Sequence, residues 1–203
     1  MTESLSDLVA SSRARIAELR QSGDLGALLS AAQVAADAIE HRVVVGAALS
    51  EADQQALLAA KRFTYNAAAD CWPGWSVSDE PADSRHLEAA FVLAQRSLAL
   101  VRRLALGPLQ EGTGLWLVGA FELALGKPAE ASATFNAARD LFLVAKAPGL
   151  ALLTEGYLVI ACGGEDLEGV CARIAAGGFE DGAEWVEQLR TALKIFPKQI
   201  RGA

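Results

Sequence analysis

Glycine and proline divide the chain at regular intervals, and this punctuation constrains the fold more than any other feature. Gly107-Pro108 and Gly126-Lys127-Pro128 each place a proline where a helix can begin, and Pro148-Gly149 separates the next two apolar segments. Proline is tolerated in the first helical turn because its missing N–H would have no helical partner there. Alanine, the best helix former, supplies about a fifth of the residues. The sequence therefore predicts an all-α fold.

Between these breaks, apolar residues recur at helical spacing in about nine segments, and none shows the strict alternation of a half-buried strand. The first segment covers about 4 to 21. One face is formed by Leu5, Leu8, Val9, Ser12, Ile16 and Leu19. The opposite, charged face is predicted to carry Arg13, Arg15, Glu18 and Arg20. The last segment, about 180 to 196, is predicted to cap the fold.

Charge and hydropathy exclude two classes of partner. The 203 residues carry a net charge of −7 without a basic stripe, so we expect no nucleic acid partner. The longest apolar runs, such as 43–49, are far shorter than the ~20 residues that span a bilayer, so we expect no membrane partner. Glu3 and Asp7 precede any apolar run, and the three cysteines include no CxxC motif. These features predict a cytoplasmic protein with reduced thiols.

The segment 112–142 has the clearest repeat-like spacing. Its small and large packing positions, separated by 7, 5, 4 and 3 residues, are Gly119, Gly126, Ala131, Phe135 and Ala138. A closely crossing helix pair needs small residues where the backbones approach and a large residue between them. This spacing resembles a tetratricopeptide (TPR) repeat. Leu115 and Glu122 stand where that repeat usually has aromatic residues.

Two weaker copies resemble the same repeat. Tyr65-Asn66-Ala67-Ala68 matches its first helix, and a third segment places Gly156 at the crossing and Gly163 at the turn. The resemblance implies antiparallel helical hairpins stacked as a short, irregular TPR-like solenoid with a C-terminal capping helix. It implies one domain over 1–203; the divergent pairs cover about 4–45, 50–106 and 149–177. The alternative is a helical bundle of another kind.

In a TPR array, the first helix of each pair lines a concave groove. Carried over by position, the resemblance implies a groove lined by Arg62, Tyr65, Ala69, Thr113, Trp116, Ala120, Leu123, Leu153 and Tyr157. Such an apolar, aromatic groove suits an amphipathic helix or an extended apolar peptide better than an acidic C-terminus. The alternative is that these residues belong to a core filled by the last helix or by a second subunit.

The stretch ADCWPGWSV, residues 69–77, interrupts the helical pattern. Pro73-Gly74 ends the third helix, and the connection that follows is long for a helical hairpin. Trp72 and Trp75 are predicted to act as lids that bury their rings over the ends of neighbouring helix pairs. The alternative is an edge of the groove that gates a ligand.

No catalytic motif is present, so we predict a non-enzymatic adaptor or regulatory protein of bacterial type. It would bind an unidentified protein or peptide without a metal or cofactor. A homodimer is also possible, because 52% of the residues are hydrophobic. One alternative is a helical domain that senses a small molecule. Another is a small helical enzyme that uses Glu122 or Glu155 as acid or base.

Overall fold

The computed structural model describes residues 4–43, 49–72 and 83–196, where all regular structure is helical. This confirms the all-α prediction. The nine helices of these residues are α1 (Leu5–Ser22), α2 (Leu25–Arg42), α3 (Glu51–Asp70), α4 (Ser84–Arg103), α5 (Pro108–Ala124), α6 (Pro128–Val144), α7 (Pro148–Ala161), α8 (Leu167–Ala176) and α9 (Gly182–Ile195). The chain divides into two compact units, Met1–Ala105 and Leu106–Ala203.

Local signals set the ends of most helices. At the start of α3, the Ser50 side chain accepts a hydrogen bond from the N–H of Asp53, whose carboxylate accepts one from the N–H of Ser50. The helices α5, α6 and α7 each begin at the proline that marks them in the sequence. The fourth helix ends a few residues before the predicted position, because Ala105 and Gly107 adopt positive φ angles of 49° and 86°.

In the first unit, each helix from α1 to α4 packs against the next, and α1 also contacts α3 while α2 contacts α4. Two hairpins, α1–α2 and α3–α4, therefore lie side by side, with α1 and α3 on one face and α2 and α4 on the other. The largest fully buried aliphatic side chains of this unit are Leu28, Ile39, Leu57, Leu93 and Leu100. Within α1, in contrast, only Leu19 is buried.

In the second unit, aromatic rings of α6 pack directly against glycines of α5. A Cβ atom on Gly119 would lie 2.9 Å from the ring of Phe135, and one on Gly112 would lie 3.0 Å from that of Phe142. Only glycine allows this approach. The crossing predicted at Gly119 and Phe135 is confirmed.

The glycines of α7 are covered by α9 and not by α8. Gly156 stands 37 residues after Gly119, and a Cβ atom there would lie 2.5 Å from Leu189 of α9. The residue at the same distance after Phe135 is Ala172 of α8, which is exposed. Because α8 offers no large side chain at this position, α9 supplies one, and the repeat pattern is degenerate there.

Within each unit, helices packed in sequence against their neighbours are compatible with a helical repeat. No helix in the described ranges has both the length and the apolar character needed to cross a bilayer. The single domain expected over 1–203 stays a prediction.

Candidate functional site

Most residues of the predicted groove that belong to the second unit lie in its interior. Trp116 of α5 meets Tyr157 of α7 edge to face, with ring centroids 5.4 Å apart, and Phe135 of α6 lies 5.4 Å from the same tyrosine. Gln188 of α9 donates a hydrogen bond of 2.8 Å to the Tyr157 hydroxyl. The other buried members are Ala120, Leu123 and Leu153, whereas Thr113 is half-buried. These residues form an aromatic cluster in which four helices meet.

The two carboxylates considered for catalysis have different environments. Burial raises the pKa of Glu122, while a hydrogen bond with Thr134 lowers it. One carboxylate oxygen of Glu122 is buried and has no hydrogen-bond partner among the described residues. Glu155 instead forms an ion pair of 2.5 Å with Arg173. No group of three or more potential metal ligands occurs in the described part of the chain.

Only one of the two predicted lid tryptophans can be placed. Trp72 follows α3 directly, donates its backbone N–H to the carbonyl of Ala69, and is 1% exposed. Its ring is therefore part of the interior at the end of α3. Trp75 lies outside the described residues. The lid role of the pair stays a prediction.

The first unit carries an open groove between α1 and α3, which we call the α1–α3 groove. Two adjoining cavities of about 260 Å³ and about 360 Å³ share Arg13, Ala59 and Arg62, and the described residues that line them all belong to these two helices. The apolar part of the lining includes Val9, Ile16, Leu58 and Phe63. The groove follows α1 from Leu5 to Arg20.

The position of Arg13 differs from the prediction. Arg13 and Arg20 were predicted to lie on the face of α1 opposite its apolar residues, but both line the groove with Val9 and Ile16. Arg13 is four residues after Val9 and three before Ile16, and these spacings place side chains on one helical face. The stripe is therefore apolar with arginines inserted into it.

Of the three arginines that line the groove among the described residues, one forms an ion pair and two do not. Arg20 forms an ion pair of 2.5 Å with Asp70, which links the C-terminal ends of α1 and α3. Burial raises the pKa of Asp70, and the arginine partly offsets this shift. Arg13 and Arg62 form no ion pair with any residue in the ranges that the structure describes. Burial and the positive charge of Arg62 both lower the pKa of Lys61.

Arg62 is the one residue of the predicted groove that lines these cavities. Tyr65 and Ala69 of the same helix are not part of their lining. The Tyr65 ring instead lies 5.0 Å from the Lys61 ammonium group, and burial raises the pKa of this tyrosine to about 12.

The contribution of α1 to the groove was not predicted from the sequence. If α1 is the first helix of a hairpin, its outer residues share a face with those of α3, so the same positional argument applied to α1 would have found them.

Compared with known proteins, the chain matches no family model, no curated protein and no solved structure at a significant level.

Proposed function

We propose that this protein is a non-enzymatic interaction module, a TPR-like helical repeat that binds a peptide segment in the α1–α3 groove. One observation carries the proposal. The apolar residues Leu5, Val9 and Ile16 of α1 remain partly exposed, although α1 packs against both α2 and α3. A helix with 18 residues and one buried side chain has apolar surface left for another molecule.

The free energy available from this surface fits reversible binding. Full burial of an aliphatic side chain contributes about 1.5–3 kcal/mol, so completing the burial of three side chains that are already largely covered contributes at most about a third of that for each. This sum is modest beside the entropy cost of association, so polar contacts must add to it. The arginines beside the apolar stripe are placed to provide such contacts.

Further features support the finer parts of the proposal. The packing of Phe135 against Gly119 in the α5–α6 hairpin has the spacing that suggested a TPR-like repeat. Cys71, Cys162 and Cys171 are free thiols, which agrees with a reducing, cytoplasmic location.

The test compares one groove variant with a matched surface variant. Helical peptides would be selected from a displayed library on the wild-type protein, and their Kd measured by fluorescence anisotropy. Ile16→Asp should weaken binding by at least tenfold, because it places an unpaired charge against the apolar face of the peptide. Val34→Asp should leave Kd unchanged, because Val34 is 62% exposed on α2, away from the groove.

Circular dichroism would show that both variants keep their helical content. If the wild-type protein enriches no peptide above a blank surface, the proposed function is wrong. Equal weakening by the two variants would move the site away from the α1–α3 groove.

A further inference from the structure

The α1–α3 groove also restricts the kind of partner it can take, an inference that rests on the proposed function. We infer that the occupant is an amphipathic helix of about four turns, with acidic side chains on both sides of a narrow apolar stripe. Length, backbone chemistry and charge each support this occupant.

The length follows from the helix that forms one wall. The lining of the groove extends along α1 from Leu5 to Arg20. At a rise of about 1.5 Å per residue this distance is about 22 Å, which is the length of about 15 helical residues. A shorter peptide would leave part of the apolar stripe exposed.

The hydrogen-bonding needs of the occupant's backbone favour a helical peptide over an extended one. An extended peptide over the apolar floor would need partners for its own N–H and C=O groups. The helical walls cannot supply them from their backbones, and the uncharged polar side chains that line the groove among the described residues are Ser6, Gln55 and Asn66. A helix satisfies its backbone hydrogen bonds internally and presents only side chains.

The charges of the lining favour acidic side chains on the occupant. Among the residues that the structure describes, three arginines and one aspartate line the groove, and the aspartate is paired with Arg20. The remaining arginines, Arg13 and Arg62, give this surface a positive charge within a protein of net charge −7. Carboxylates on the partner would form charge-assisted hydrogen bonds with these guanidinium groups.

The positions of these two arginines locate the acidic residues of the partner. Arg13 belongs to α1 and Arg62 to α3, and both occur in the lining that the two cavities share. They therefore stand on opposite walls near the middle of the groove. The partner should carry its carboxylates at central positions, one on each flank of its apolar stripe.

A set of synthetic peptides tests the inference. Three helical peptides of about 16 residues would share one leucine stripe and differ only at central flanking positions, which carry Glu, Gln or Lys. A fourth would carry a central proline in the Glu peptide, which breaks the helix. Kd would be measured for each peptide at about 50 mM and about 500 mM salt.

The Glu peptide should bind about tenfold more tightly than the Gln peptide, with a range of three- to thirtyfold, and the Lys peptide should bind most weakly. The Arg13→Gln/Arg62→Gln variant should lose this preference. The control variant Arg15→Gln/Arg85→Gln removes the same total charge from exposed surface pairs outside the groove and should keep it. High salt should reduce the preference.

Several results would overturn the inference. Equal binding of the Glu and Gln peptides, or a preference that survives in the Arg13→Gln/Arg62→Gln variant, would show that acidic residues are not recognised. Unchanged affinity for the proline peptide would show that the occupant need not be helical. A wild-type dimer that becomes monomeric in the same arginine variant would identify a second copy as the occupant.

These failures can be told apart from failure of the proposed function. Library-selected peptides that bind in the groove without any charge preference would leave the proposed function in place. If neither the selected nor the designed peptides bind, both proposals are wrong.

Discussion

At the scale of single residues, glycine determines how closely the helices approach in the second unit. Gly112, Gly119, Gly149 and Gly156 all stand where a Cβ atom would meet the side chain of another helix at 3.0 Å or less. These positions differ from exposed helical glycines, which only weaken a helix.

Gly119→Ala therefore tests the packing of α5 on α6. The new methyl group would lie 2.9 Å from the ring of Phe135, which is fully buried and cannot move away freely. Overpacking costs about 1–3 kcal/mol, which exceeds the gain in helix propensity of about 1 kcal/mol. We expect a net loss of about 1 kcal/mol, and at most about 2 kcal/mol, in the free energy of unfolding, measured by urea denaturation.

Gly26→Ala is the matched control. Gly26 is exposed in α2, and a Cβ atom there would meet its neighbours only at 3.4 Å and beyond. This substitution should stabilise the protein by up to about 1 kcal/mol. If both substitutions stabilise equally, the close packing at Gly119 is not what holds α5 and α6 together.

The sequence predicted part of the site at this scale. Arg62 was identified because the position of a residue in a repeat sets the face on which it lies. Arg13 was assigned to the wrong face because the assignment followed its charge. Its spacing of four residues from Val9 and three from Ile16 places it on their side of the helix. Whether Trp116 and Tyr157 face a groove or a core depends on what α9 covers, and local spacing does not contain that information.

At the scale of elements, helix boundaries were predictable because their causes are local. A proline in the first turn or a serine that caps α3 acts within three or four residues. The helix that fills the glycines of α7 was not predictable in this way, because α9 lies about 30 residues further along the chain. Leu189 of α9 packs against Gly156, whereas Ala172 of α8 is too small to fill the space beside that glycine.

The contact between α1 and α3 can be tested through Arg20 and Asp70. A carboxyl group with a raised pKa favours the folded state at low pH and loses that stability as pH rises through its folded pKa. In Asp70 the cost comes from burying an ionised carboxylate, and the positive charge of Arg20 partly offsets that cost. Arg20→Gln should therefore destabilise the protein by about 1–3 kcal/mol at pH 7. The difference should shrink as pH falls from 7 toward 4, because the raised pKa of Asp70 favours protonation of its carboxylate and the neutral group no longer pairs with Arg20.

The measurement is urea denaturation at several pH values between 4 and 7. Arg15→Gln serves as the control, because its pair with Glu18 is exposed and should contribute within about 0.5 kcal/mol. A loss in Arg20→Gln that is the same at pH 4 and pH 7 would contradict the role assigned to the ionised Asp70.

At the scale of the whole molecule, the α1–α3 groove stands out by its charge. The protein as a whole carries a net charge of −7 and would repel an acidic partner at long range. The surface around Arg13 and Arg62 would attract such a partner at short range. Contacts in the groove would therefore offset the long-range repulsion of an acidic helix by the protein as a whole.

The most direct test of this central claim is a map of amide chemical shifts by NMR while the Glu peptide is added to the 203-residue protein. We expect the largest changes in α1 and α3, centred on Arg13 and Arg62, with small changes in α2 and α4. Changes centred on the face formed by α2 and α4, or on helices α5 to α9, would contradict the assignment of the groove as the binding site.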